Sequence, residues 1–195
     1  VTTKRLFALL LLFLFGGAVL AAGDAAALKA GVFTPPRLAP EIALRGSDGA
    51  DLKLARFRGK VVLMFFGFTH CADVCPVTLA VLAQARQQLG ARASEVQVVY
   101  VTVDPERDDA AHLKKYLAAF DASFVGATGK PEALAAVRDS YGVSARKIGS
   151  GTEGYAIAHS SSVYLIDPEG RLRAMMPFGH SAADYVHDVG LLLRK

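Results

Sequence analysis

Only two cysteines occur in the 195 residues, and both stand in one stretch, Phe65-Phe66-Gly67-Phe68-Thr69-His70-Cys71-Ala72-Asp73-Val74-Cys75-Pro76. Their spacing is i, i+4, so a helix that begins at or before Cys71 puts both sulfurs on one face, one turn apart. Helix N-termini present unpaired amides and a positive dipole end, which favours thiolate over thiol. The pair therefore offers two soft anionic sulfurs side by side, suited to redox exchange or to a metal. A purely structural disulfide would close a short loop and contribute only about 2 kcal/mol. Structural bridges in exported domains more usefully join distant segments.

Two thiolates need a third ligand to close a trigonal or tetrahedral metal site, and the sequence offers five histidines. His70 adjoins Cys71 but has to point away from the face the cysteines share. His112, beside Lys114 and Lys115, and His187, beside Asp188, read as solvated helix positions. His180 reads as part of the start of the last helix. His159 differs, because it stands immediately before the apolar run Val163-Tyr164-Leu165-Ile166. Two cysteines and one histidine are soft-to-borderline ligands that suit Cu(I) and Zn(II), with Cu(II) open to them if a fourth ligand is present.

The elements that must position these groups follow from hydropathy patterning. Residues 60–66 and 96–103 are apolar runs too short for ordinary helices, as expected of strands buried on both faces. Helical periods follow from Pro76, over 108–120 with Asp108 as N-cap, over 131–141, and over 181–193. Residues 162–166 and 171–176 bracket Asp167-Pro168-Glu169-Gly170, a strand-turn-strand pattern, and residues 41–45 and 51–54 flank a second turn. Strands alternating with helices and ending in an antiparallel pair predict a thioredoxin-like three-layer α/β sandwich with an N-terminal β-hairpin extension. In such a sandwich, the loop entering the strand after His159 passes beside the N-terminus of the cysteine-bearing helix.

Composition is that of a folded domain: 52% hydrophobic and 21% charged residues, with net charge +4. The basic residues are scattered and no aromatic-studded basic stripe occurs, which excludes a nucleic-acid reading. Residues 6–23 carry no charge, follow Lys4 and Arg5 and precede Asp24, the layout of an exported protein's leader. The sequence thus divides into a signal peptide or membrane anchor over 1–23, a Pro- and Ala-rich flexible tether over 24–40, and a folded domain over 41–195. Positive charge before the leader places the domain outside the cytoplasm. The expected location is the periplasmic side of a bacterial inner membrane, tethered or released. Gly149 to Gly154 spells G-x-G-x-x-G, but no helix pattern follows it, so it reads as a loop.

The chain resembles the SCO/SenC family of thioredoxin-like copper chaperones of cytochrome c oxidase assembly. The resemblance covers residues 38–194 and rests on Phe65 to Cys71 with Cys75-Pro76, on Thr102-Val103-Asp104-Pro105-Glu106-Arg107-Asp108, and on His159-Ser160 leading into Tyr164 to Gly170. It implies copper, as Cu(I), Cu(II) or both, bound by Cys71, Cys75 and His159, with Asp104 close behind the ligands. Ala72 stands where the family often has Pro, and Ala158 where it often has an acidic or amide residue. The resemblance also implies delivery to the dinuclear copper centre of the oxidase's copper-site subunit. Another copper carrier, and a thiol reductase that keeps the cysteines open, are expected as partners. Three alternatives are compatible with the same residues. The first is a thiol-disulfide oxidoreductase working through Cys71 and Cys75, although three residues separate them where thioredoxins have two. The others are a peroxiredoxin, which the position of Thr69 disfavours, and a zinc-stabilised structural domain.

Overall fold

A computed structural model describes residues 27–149 and 154–194. The leader expected over 1–23 lies outside the described residues, as does most of the Gly149–Gly154 loop. In chain order the strands are β1 (Gly31–Leu38), β2 (Leu44–Gly46), β3 (Asp51–Leu52), β4 (Val61–Gly67), β5 (Val96–Thr102), β6 (Val125–Thr128), β7 (Ala145–Ile148), β8 (Ala156–His159), β9 (Val163–Ile166) and β10 (Arg171–Met176). The helices are α1 (Val74–Leu89), α2 (Ala110–Ala118), α3 (Pro131–Tyr141) and α4 (Ala182–Leu192). One sheet runs β1-β10-β9-β4-β5-β6-β2-β3, and β7 and β8 form a separate pair.

The apolar runs form the centre of the sheet because every residue of β4 and β5 is buried. The two strands are parallel, joined through α1, and β5 is parallel to β6 through α2. Successive strand residues face opposite layers. Phe65 meets Tyr100 on the face that carries α1, whereas Phe66 meets Tyr141 of α3 on the other. α4 packs beside α1. The result is the expected thioredoxin-like three-layer sandwich. α3 begins with Pro131 and is closed by Gly142 at φ 69°, and Ser181 and Asp184 form a capping box on α4.

One expectation needs correction, and two elements are additions to the expected pattern. The tether over 24–40 is ordered over much of its length: Gly31–Leu38 is an edge strand on β10, with a register shift between Val32 and Arg37 where Pro35 and Pro36 fall. Prolines suit an edge, where an amide need not be donated. The fully buried Asp188 carboxylate fixes the approach by accepting from Lys29 N at 2.8 Å and Ala30 N at 2.9 Å. The first addition is β6, a short strand with no recognisable alternation. A methyl group at Gly126 would stand 2.8 Å from Leu113 Cβ, so glycine lets α2 lie directly on the strand. The second is the β7–β8 pair, whose short strands are largely exposed and bury only Ile157 in the core. The hairpin expected around residues 46–49 is present, with β2 joined to β6 so that it widens the main sheet.

Candidate metal centre

The β4–α1 loop brings the first sulfur to the site. α1 begins at Val74, so Cys71 stands in the loop before the helix and only Cys75 lies in the first turn. Pro76 follows in that same turn, where a missing amide proton costs nothing. Cys71 is half-buried and Cys75 is fully buried, and neither is in a disulfide. Burial pushes the Cys75 thiol up to about 12, and the neighbouring Cys71 adds to the shift. The helix N-terminus therefore does not make Cys75 a thiolate in the metal-free protein, because desolvation outweighs it.

Space around Cys75 is set by Gly67. A methyl carbon there would stand 2.6 Å from the Tyr100 hydroxyl and 2.9 Å from Cys75 Sγ. The Tyr100 hydroxyl is buried and has no hydrogen-bond partner among the described residues. A Cys75 thiolate, metal-bound or free, would supply the acceptor this donor lacks.

The third group arrives on a different element. His159 ends β8, paired with Ala145 of β7, and its ring sits against Phe65 at 6.4 Å and edge-on to Phe68 at 5.7 Å between centroids. Nδ1 lies 2.8 Å from the Ser160 carbonyl oxygen and so carries the proton. The lone pair of Nε2 then faces Cys75 Sγ, 3.5 Å away. Burial lowers the pKa of the ring, which stays neutral at neutral pH. Ligand atoms of Cys71, Cys75 and His159 all lie within 4.8 Å of one another. A first-row ion about 2.3 Å from sulfur and about 2.0 Å from nitrogen sets the two ligands roughly 3.5 to 3.7 Å apart at tetrahedral to trigonal angles. The observed separation of 3.5 Å falls in that range. The donor set, the fixed tautomer and the spacing fit one soft or borderline ion.

The model of the SCO1/SenC family matches residues 34–194. This chain belongs to the SCO1/SenC family. It is 39% identical over 139 residues to the mitochondrial SCO2 homologue of Mus musculus, covering 69% of this chain and 54% of that one. With the human SCO2 homologue it shares 42% identity over 120 residues, covering 60% and 45%. The chain thus spans about half the length of these curated relatives. Among solved structures, Bradyrhizobium japonicum ScoI with copper bound superimposes with a TM-score of 0.73 at 32% identity, covering 78% of this chain and 98% of that one.

Asp104, expected close behind the ligands of this SCO1/SenC domain, does not bond to them directly. Its buried carboxylate accepts from Tyr155 Oη at 2.6 Å and from Arg107 Nε, and it has no hydrogen bond to Cys71, Cys75 or His159. The Arg107 guanidinium lies 3.9 Å from the Tyr155 ring centroid and 5.8 Å from that of Phe68, the ring that flanks His159. Lys147 of β7 bonds Glu106 at 2.6 Å. Asp104 therefore anchors the β7–β8 arm that carries His159. Asp108 is not the N-cap of α2: Asp109 caps it by accepting from His112 N at 2.7 Å, and Asp108 is fully buried. Sequence reasoning missed the company Asp108 keeps, a cluster with His70 and His112. Only the folded chain brings those three residues together.

Proposed function

We propose that this SCO1/SenC protein is a copper metallochaperone that carries the ion on Cys71 Sγ, Cys75 Sγ and His159 Nε2. It delivers the ion to the dinuclear copper centre of cytochrome c oxidase. The observation that carries this reading is the His159 lone pair held 3.5 Å from Cys75 Sγ with Cys71 beside both. Two thiolates and an imidazole suit Cu(I), and a fourth ligand from solvent or partner would accommodate Cu(II). Transfer proceeds by ligand exchange. An acceptor cysteine replaces one protein ligand at a time, beginning at half-buried Cys71, so the ion is never released free.

Both sulfurs must be reduced to receive the ion, and in an oxidising compartment they can close a disulfide. The proposed partners are therefore the oxidase copper-site subunit, a second copper carrier and a thiol reductase. The proposed location is the periplasmic side of a bacterial inner membrane, with the 1–23 leader as signal or anchor.

The second reading is a thiol-disulfide oxidoreductase, favoured by two free cysteines within 4.8 Å. Against it, the Cys75 thiol is buried and pushed up to about 12, so that sulfur is a poor attacking group at neutral pH. The substitution His159→Ala separates the two. It is expected to abolish tight Cu(I) binding in a competition titration while leaving disulfide exchange by the cysteines intact. Unchanged copper affinity would remove the three-ligand reading.

A further inference from the structure

Bonded to Thr69 of the β4–α1 loop, Asp108 presents an unusual carboxylate. It is fully buried, and its donors are neutral: Thr69 N at 3.1 Å and Thr102 Oγ1 at 2.6 Å on Oδ2, and Thr69 Oγ1 at 2.6 Å on Oδ1. Buried carboxylates ordinarily face a cation or a metal. Two exposed imidazoles stand over this one. His70 Nδ1 lies 3.1 Å and His112 Nε2 3.0 Å from the same Thr69 hydroxyl, and the rings stack with centroids 6.1 Å apart and planes 22° apart. Ligand atoms of His70, Asp108 and His112 all lie within 4.8 Å of one another.

The Thr69 hydroxyl has one proton, which goes to the carboxylate, the nearest acceptor. Each ring then donates a proton to the hydroxyl oxygen. An ion can take the place of those two protons once each neutral ring carries its proton on the far nitrogen. Rotation of the two exposed side chains then brings both nitrogens and the carboxylate oxygen to the distance of about 2.0 to 2.2 Å that one ion requires.

We propose that His70, His112 and Asp108 form a second metal site for a divalent ion of borderline hardness, Cu(II) before Zn(II). Two imidazole nitrogens and a carboxylate oxygen are harder than the sulfur pair. Among divalent first-row ions such a set holds Cu(II) most tightly. His70 and Cys71 are sequence neighbours that fall in two different ligand clusters. The molecule thus sorts ions by softness, with Cu(I) on the sulfurs and a divalent ion on the nitrogens. The site stands independently of the copper-delivery reading, since it uses none of Cys71, Cys75 or His159.

The test is a Cu(II) titration of the C71S/C75S protein, read by electron paramagnetic resonance. The expected result is one equivalent of Cu(II) with superhyperfine splitting from two imidazole nitrogens. Adding His112→Ala is expected to weaken binding by more than about tenfold, whereas adding His159→Ala changes nothing. Oxidised wild type, its sulfurs closed, serves for the same titration should the double variant not fold. In the otherwise unchanged protein, His112→Ala is expected to leave Cu(I) affinity intact, so this test and that of the sulfur site fail separately. Absence of stoichiometric Cu(II), or binding indifferent to both His112→Ala and His70→Ala, would overturn the proposal.

Discussion

At the scale of single residues, the two cysteines behave differently although their sequence spacing suggests a matched pair. Cys75 is sealed beneath Gly67 and Tyr100, and burial keeps its proton on, while Cys71 faces partly outward. Copper must displace the Cys75 proton, so the folded, metal-free state holds a proton that the loaded state has lost. Apparent Cu(I) affinity is therefore expected to rise with pH across the neutral range, by about tenfold per unit for each proton released. Competition titrations in buffers either side of neutrality check this, and a pH-independent affinity would show that the sulfurs are already ionised. Cys71 and Cys75 stand out in the sequence because they are its two cysteines, whereas His159 is singled out among five histidines only through the family resemblance. The protonation of Cys75 was not legible there, since it depends on what covers the sulfur. Asp108 was misread for the same reason: a carboxylate just before a helix looks like a cap until its burial is known.

At the scale of elements, His159 reaches the sulfurs because the β7–β8 arm is fastened to the segment after β5. The fastening runs through Tyr155 to Asp104 and through Lys147 to Glu106. Tyr155→Phe removes one hydrogen bond to a buried carboxylate, worth about 1.5 to 3 kcal/mol. It is expected to raise hydrogen exchange over Ala156–His159 and weaken copper binding, while the central sheet unfolds as before. Exchange rates unchanged in the arm would mean that Asp104 has no part in holding it. Legibility here follows burial. α3 and β10 fall on the residues expected from pattern and turn chemistry, because each buries an alternating or helical face. The arm, whose strands are largely exposed, and β1, held by Asp188 from the far end of the chain, depend on partners distant in sequence.

At the scale of the whole molecule, the core is expected to stand without the metal. The sheet centre and the helices over both faces are closed by buried apolar side chains; of the candidate ligands, Cys75 belongs to that core and Cys71 packs against it. A zinc-stabilised domain would unfold on chelation. This one is expected to keep its far-ultraviolet circular dichroism and its cooperative thermal transition when stripped of metal, and loss of either would place the ion in the fold. Topology was readable from the alternation of apolar runs and helical periods, but the meeting of segments 71–75 and 159 followed only from that topology. X-ray absorption of the protein loaded with one Cu(I) tests that meeting most directly. Two sulfurs and one imidazole nitrogen around copper, the nitrogen lost in His159→Ala, is the predicted result; sulfur coordination alone, identical in the variant, would contradict it.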